Sequence, residues 1–296
     1  MKIVHTFGDV RSMSDGRVGL VPTMGFLHEG HLSLIETARD ANDFVVVSLF
    51  VNPLQFGEPS DLASYPRDID RDTALARSGG ADVLFIPDVE TMYPIQPRTT
   101  VEVRGVSAGM EGAYRPGHFA GVATVVAKLF AGIQPDTAYF GRKDAQQLAV
   151  VRTMATDLSL PVDVQGLPIV RESDGLALAS RNVRIEKHQR PLAVNLSRAL
   201  FAAGDAFEAG ERSVDALREI SRTRVGVDPA LDVEYIEVAN ASDASIVDRI
   251  EDTVFIALAA WVGDVRLIDN VLLDPGTEKA DRGVRLDRPS ILYGGS

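Results

Sequence analysis

The sequence predicts an α/β fold: a Rossmann-like, doubly wound parallel sheet followed by a smaller C-terminal α+β domain. Three observations point there. Apolar runs of strand length alternate with amphipathic stretches through the first half of the chain. The run Phe44-Val45-Val46-Val47-Ser48-Leu49-Phe50-Val51 is apolar and β-branched, as in a parallel strand covered on both faces. Beyond about residue 172 the texture changes to longer helical stretches and to strands with one wet face.

The elements follow in order. Val18–Val21 reads as a buried strand ending at Pro22, and Leu32–Arg39 has helical apolar spacing. After the strand at 44–51, Arg71–Gly79 reads as a short helix. Asp82–Ile86 is the next strand, stopped by Pro87. A helix at Gly121–Ala131, a strand at Thr137–Phe140, a helix at Ala145–Leu158 and a strand at Val162–Val170 complete the repetition. Helices at Arg190–Ala209 and Val214–Thr223 come next, then an alternating strand at Asp232–Val238. Two further strands, from Val254 and from Val265, flank a Gly263-Asp264 turn signal. The expected division is 1–172 for the nucleotide- and substrate-binding domain, 173–273 for a smaller α+β lid domain, and 274–296 for a tail. The tail carries Pro, Gly and charge and is expected to be poorly ordered or loosely docked.

The chain has 296 residues, ample for a packed core, and a charged fraction of 24% that suits a soluble protein. No apolar run approaches the roughly 20 residues that span a bilayer. No signal-peptide pattern is seen at the start. Cysteine is absent, which excludes disulfides, thiolate zinc sites and cysteine nucleophiles. These features favour the cytoplasm. A formal net charge of −12 argues against a sequence-independent nucleic-acid binder. An anionic substrate would need a cationic pocket inside this negative envelope, so individual histidines, lysines and arginines become informative.

The sharpest segment is Pro22-Thr23-Met24-Gly25-Phe26-Leu27-His28-Glu29-Gly30-His31, between the first strand and a helix. The free N–H groups and dipole of a helix N-terminus attract phosphate, and Gly30 lets a nucleotide approach the backbone. His28 and His31, three apart, share one face and can both reach a phosphate chain. An incidental pair on a solvated turn, or half of a metal site, fits the same spacing. In Gly141-Arg142-Lys143-Asp144 the lysine can bind phosphate and the aspartate a ribose hydroxyl, or simply cap the next helix. Gln146 and Gln147 follow, neutral amides suited to a hydroxy acid. Asp174–Asn182 ends in Ser180, Arg181 and Asn182 and reads either as a loop over a triphosphate or as a linker. Asn52 and Gln55, flanked by Phe50 and Phe56, open the second strand's end. Glu111–Phe119 brings Arg115 and His118 to a glycine-rich loop.

In order and spacing these segments resemble the pantothenate synthetases. The resemblance covers about Val18 to Asn270. Its pieces are residues 22–31, Phe-Val-Asn-Pro-Leu-Gln-Phe at 50–56, Tyr-Pro-Arg at 65–67 and Arg-Pro-Gly-His-Phe at 115–119. Gln-Pro-Asp at 134–136, Lys-Asp-x-Gln-Gln-Leu at 143–148, Asp-Gly-Leu-Ala at 174–177 and Trp-Val-Gly-Asp-Val-Arg-Leu-Ile-Asp-Asn at 261–270 complete it. Three positions depart from the family's habit. Ala179 replaces the first serine of a usual Ser-Ser-Arg-Asn, Arg142 stands where an acidic residue is common, and Tyr114 occupies a usually small position.

The resemblance implies the nucleotidyltransferase superfamily, ATP with Mg2+, and a ligation of pantoate to β-alanine through a pantoyl adenylate. It implies that Met24, Gly25, His28, Gly30, His31, Gly141, Lys143, Asp144, Val170, Leu178, Ser180 and Arg181 bind ATP. His31, His28, Lys143 and Arg181 would serve catalysis, with His31 as the acid. Gln55, Gln147 and Met24 would hold pantoate, with Gln55 also near β-alanine. A homodimer is implied, with small-molecule substrates and neither nucleic acid nor membrane as partner. Protein ligands of the metal are not evident. Three rivals stay open: another adenylyltransferase with a different acceptor, a non-catalytic nucleotide sensor, and a metal-dependent hydrolase built on His28 and His31, which lacks a nearby third ligand.

Overall fold

The computed structural model describes residues 1–57, 59–95, 97–226, 228 and 230–293. The chain divides into two compact units. The first comprises Met1–Arg104, Arg115–Gly141 and Val150–Leu167; the second comprises Gly105–Tyr114, Arg142–Ala149 and Pro168–Ser296.

The first unit is built on a parallel sheet. Its strands are β1 (Lys2–Val4), β2 (Val18–Thr23), β3 (Phe44–Leu49), β4 (Val83–Phe85), β5 (Thr137–Gly141) and β6 (Asp163–Leu167), in the order β1-β4-β3-β2-β5-β6. Helices α1 (Phe7–Met13), α2 (Glu29–Ala41), α3 (Pro59–Ser64), α4 (Ile69–Ser78), α5 (Val89–Met92) and α7 (His118–Ile133) belong to the same unit, while α6 (Glu111–Tyr114) belongs to the second. Val21, Val45, Val47 and Leu84 pack with Leu34, Ile35 and Ala38 of α2 in a shared core. The order reverses between β2 and β5, so the loops that leave these two strands open at the topological switch point, where doubly wound sheets bind ligands.

Two sequence expectations change here, and one strand is new. β2 runs through Pro22 instead of stopping at it. The carbonyl of Val18 accepts from Asp136 on the β5 side, so by alternation position 22 also faces that side. Register with β5 covers only Gly19 and Leu20, so the proline removes a donor where no ladder partner remains. The strand expected over Val162–Val170 divides at Pro168: β6 ends at Leu167, and Val170–Arg171 forms β7 in a different sheet. The short edge strand β1, with two exposed positions, had no periodic signal to announce it.

In the second unit, β8 (Leu231–Asn240), β9 (Val254–Val262), β10 (Val265–Asp274) and β11 (Lys279–Asp281) form an antiparallel sheet in the order β11-β10-β9-β8. The helices α9 (Arg190–Glu208) and α10 (Val214–Val225) cover it, burying Leu196, Leu200, Phe207 and Leu217 against Ile236, Val238, Ile256 and Leu258. Helix α8 (Ala145–Asp157) starts in this unit and continues into the first. Within the segment after 274, expected to be poorly ordered or loosely docked, residues 279–293 are tied down, and 294–296 lie outside the described residues. The segment contributes β11 and then β12 (Val284–Arg285), which pairs in parallel with β7. Its charges are used: Arg282 reaches Asp205 at 2.6 Å and Glu208 at 3.1 Å.

Candidate active site

In the first unit the chain leaves β2 through a tight loop. Gly25 has φ +88°, the left-handed region that favours glycine, and a Cβ there would lie 3.0 Å from Asp72 Oδ2. Asp72, on α4 and almost fully buried, accepts from the N–H of Phe26 at 2.7 Å and of Leu27 at 2.6 Å. Burial pushes its carboxyl above the usual range, against the pull of those two N–H groups. Neighbouring Arg71 donates to the Leu27 carbonyl at 2.7 Å and lies over the Phe26 ring.

The loop delivers two histidines into α2 as a reciprocal cap. His28 is the N-cap residue, and its Nδ1 accepts from the Gly30 N–H at 3.2 Å. His31 Nδ1 accepts from the His28 N–H at 3.3 Å, and the ring centroids are 4.1 Å apart. A neutral imidazole that accepts at Nδ1 carries its proton on Nε2, so both rings are fixed as Nε2–H donors beside the helix start. This is the logic of the capping box, with imidazole nitrogens in place of the usual hydroxyl and carboxylate oxygens.

Gln55 ends a 3₁₀ turn after β3. Its Nε2 lies 3.0 Å from Met24 Sδ, and its Oε1 accepts from Asn52 at 3.1 Å. Asn52 in turn donates to the Gly121 carbonyl at 3.1 Å and accepts from the Tyr93 hydroxyl at 2.8 Å. Burial pushes the Tyr93 phenol up to about 12, so it remains a donor at neutral pH. The Gln55 carbonyl is held by His118 Nδ1 at 2.9 Å and Arg115 at 3.4 Å. Gly121 makes this packing possible, since a Cβ there would lie 2.3 Å from the Leu54 carbonyl oxygen. The Arg115–Phe119 motif thus supports the turn that carries Gln55.

In the second unit, Arg142–Asp144 forms a 3₁₀ turn in which Lys143 Nζ lies 3.7 Å from Asp144. Asn270 donates to the carbonyls of Arg142 at 2.9 Å and Lys143 at 2.8 Å. Arg142 pairs with Asp281 at 3.1 Å, so its charge is engaged. The two glutamines that follow differ sharply. Gln146 is buried and bonded to the carbonyls of Val106 and Gly109 and the N–H of Glu111. Gln147 is half-buried, and its side chain makes no hydrogen bond among the described residues.

The Val170–Arg181 segment is anchored by Arg171. It makes a bidentate pair with Asp269 at 2.6 and 2.9 Å, and donates to the carbonyls of Asn270, Gly175 and Arg282. Leu178 N–H bonds the Val170 carbonyl at 2.9 Å, and Ser180 and Arg181 lie in the following 3₁₀ turn. Asn182 closes the loop by donating to Glu172 at 2.8 Å and to the Ala177 carbonyl at 3.0 Å. Ala179 is the N-cap of that turn and offers no side-chain cap.

The whole chain can be compared with known proteins. The model for the pantoate–β-alanine ligase family matches residues 2–272. The pantothenate synthetase of Heliobacterium modesticaldum is 49% identical over 280 residues, covering 93% of this chain and all of that protein. That of Roseiflexus castenholzii is 49% identical over 277 residues, with the same coverage. The chain belongs to the pantoate–β-alanine ligase family. Among solved structures, the pantothenate synthetase of Thermus thermophilus superposes with a TM-score of 0.87 at 46% identity, covering 91% of this chain and 98% of that one. The pantoate–β-alanine ligase of Francisella tularensis, solved with β-γ ATP and β-alanine, has a TM-score of 0.76 at 32% identity, with 91% and 97% covered. Among the described residues no helix is long and apolar enough to cross a membrane.

Within this ligase family framework, the sequence-selected residues separate by unit. Met24, Gly25, His28, Gly30, His31, Gln55 and Gly141 lie in the first; Lys143, Asp144, Gln147, Val170, Leu178, Ser180 and Arg181 lie in the second. Asp72, Arg171 and Glu172 escaped the reading of the residues. Asp72 sits in an ordinary amphipathic helix pattern, and nothing local marks it as the clamp on a loop 45 positions earlier. The 261–270 motif gains a physical account. Arg266 bridges Glu111 at 2.6 Å and Glu234 at 2.7 Å, while Asp269 and Asn270 hold the two loops just described. Tyr114 is accommodated by the same cluster, donating to the Glu234 carbonyl and packing its ring 5.7 Å from that of Tyr235.

Proposed function

We propose that this chain condenses pantoate with β-alanine through a pantoyl adenylate, releasing pyrophosphate and AMP. The observation that supports the mechanism is the reciprocal histidine cap, in which both imidazoles accept at Nδ1 beside a helix N-terminus. Such an array suits a phosphate chain, because it adds fixed donors to the helix dipole without reorganisation.

In the first step a pantoate carboxylate oxygen attacks the α-phosphorus of ATP, and the bond to the bridging oxygen of pyrophosphate breaks. His31 serves as the acid toward the leaving oxygen and His28 as a second donor. Lys143 and Arg181 neutralise the phosphates. Gly25 and Gly30 keep the backbone open to the nucleotide; Met24, Gly141, Asp144, Val170, Leu178 and Ser180 line its cradle. In the second step the β-alanine amine attacks the acyl carbon, the bond to AMP breaks, and the amine releases a proton. Gln55 and Gln147 hold pantoate, and Met24 offers its methyl groups an apolar wall. No covalent enzyme intermediate is needed, since substitution at phosphorus calls for positioning and charge neutralisation.

Mg2+ enters this reading with ATP. Among the described residues no group of three or more His, Asp or Glu side chains could hold a metal ion. Mg2+ commonly takes substrate phosphates and waters in place of an all-protein cage, which fits that donor set. A cytoplasmic location is supported by the lack of cysteine and the need for ATP. A homodimer follows from the family resemblance and is measurable by sedimentation. The deciding experiment omits β-alanine and looks by mass spectrometry for pantoyl adenylate, with pantoate-dependent ATP–pyrophosphate exchange alongside. Exchange with other carboxylates but not pantoate would sink the reading.

A further inference from the structure

The family model's match ends at residue 272, two residues before β10 ends. The chain that follows is built into the second unit at successive points along the loops assigned above to ATP. Asp281 pairs with Arg142 at 3.1 Å, beside Lys143. The Arg282 carbonyl accepts from Arg171 Nε. Gly283, at φ +81°, lies so close that a Cβ would stand 2.2 Å from the Ile169 carbonyl oxygen. Val284 and Leu286 then donate to the carbonyls of Ile169 at 2.7 Å and Arg171 at 2.8 Å, which is the β7–β12 ladder. Finally the 3₁₀ turn Ile291–Tyr293 packs on the turn Ser180–Arg184.

One carboxylate oxygen joins the end of this segment to the loop. Glu172 Oε1 accepts from Tyr293 Oη at 2.9 Å, from Asn182 Nδ2 at 2.8 Å and from Arg190 at 3.2 Å. Arg190 also donates to Tyr293 Oη at 2.7 Å. Glu172 is buried, so it depends on these donors, and Asn182 directly follows Ser180 and Arg181.

We propose that residues 279–293 form a strap that positions the Leu178–Arg181 segment for the phosphates of ATP, with Tyr293 acting as a positioning residue through Glu172 and Asn182. The inference rests on the assignment of Leu178–Arg181 to ATP. The strap bears on nucleotide binding and not on the acid pocket, because it touches the 142 and 169–184 segments and none of its bonds reaches Gln147. Burial and the Glu172 carboxylate push the Tyr293 phenol up to about 12, which keeps it a donor through the neutral range.

Tyr293→Phe removes the hydroxyl and keeps the ring. In the full chain it is expected to raise the KM for ATP roughly three- to tenfold, the scale of one ordinary lost hydrogen bond. The KM for pantoate and for β-alanine should stay within error. Amide hydrogen exchange over 176–184 should quicken without any ligand present. Unchanged exchange there would overturn the strap, whatever the loop binds. Arg181→Ala separates the two layers. If it leaves the KM for ATP unchanged, the assignment of the loop to ATP fails. If Arg181→Ala raises that KM and Tyr293→Phe does not, the strap alone fails.

Discussion

The carboxylate of Asp72 spans the loop ahead of His28, one oxygen on the Phe26 N–H and the other on that of Leu27. It fixes the approach of the chain to the histidine cap from a helix more than 40 positions downstream. Asp72→Asn offers one acceptor where two are needed and turns an NH2 group toward a backbone N–H. We expect a loss of about 1–3 kcal/mol in urea unfolding. The KM for ATP should rise more than that for β-alanine. If the variant matches the parent in both measurements, Asp72 does not hold the loop.

His31→Ala removes a cap and, on the proposed mechanism, the acid. The cap is worth about 0.5–2 kcal/mol of stability. The acid is worth on the order of 3 kcal/mol of barrier, about a hundredfold in adenylation rate. His31→Gln separates the two, because glutamine at this position of a capping box still reaches the N-cap N–H. The expected result is near-parental melting with a rate as low as that of His31→Ala. A His31→Gln enzyme of ordinary speed would make His31 purely structural.

Gln146 and Gln147 are adjacent yet should behave oppositely. Gln146→Ala removes the partner of the buried Glu111 N–H and of the Val106 carbonyl, so it should destabilise the protein by several kcal/mol, at about 1–3 kcal/mol for each group. Gln147→Ala should leave stability alone, weaken pantoate binding in isothermal titration, and leave ATP binding nearly unchanged. It should also reduce the preference for pantoate over a deoxy analogue. An equal fall in ATP affinity would remove Gln147 from the acid pocket.

Arg171 and Asp269 are both almost fully buried. Arg171→Met strands a buried carboxylate and should cost about 3–5 kcal/mol of stability. Adding Asp269→Leu should recover part of that loss. Chemical denaturation of the two single variants and the double variant gives the coupling directly. Additive losses would mean that the pair has no special role in anchoring Val170–Arg181.

The central strands were readable because burial on both faces writes a continuous apolar run, as in Phe44–Leu49. The hairpin was readable because Gly263-Asp264 marks its turn between two apolar stretches. The placing of His28 and His31 at a helix start was readable too, since the strand before them and the apolar spacing after them bracket the turn. What stayed hidden depends on distant partners. β7 is two residues long and exists because Val284–Arg285 pairs with it. The final segment looked polar and loose because its charges are satisfied by Asp205, Glu208 and Arg142, which periodicity cannot reveal. For the same reason Gln146 and Gln147 looked alike in sequence.

Gly121 sets a boundary on how this protein can be re-engineered. No substrate role is assigned to Gly121 itself, yet even a methyl group there would drive into the Leu54 carbonyl and the Gln55 backbone nitrogen and displace the turn that carries Gln55. A library that seeks a new acid acceptor by varying α7 should therefore return inactive clones at position 121 whatever the acid offered. On the proposed assignment of Met24 and Gln147 to pantoate, productive diversity has to come from those side chains, while the backbone turn beneath Gln55 is left as it is.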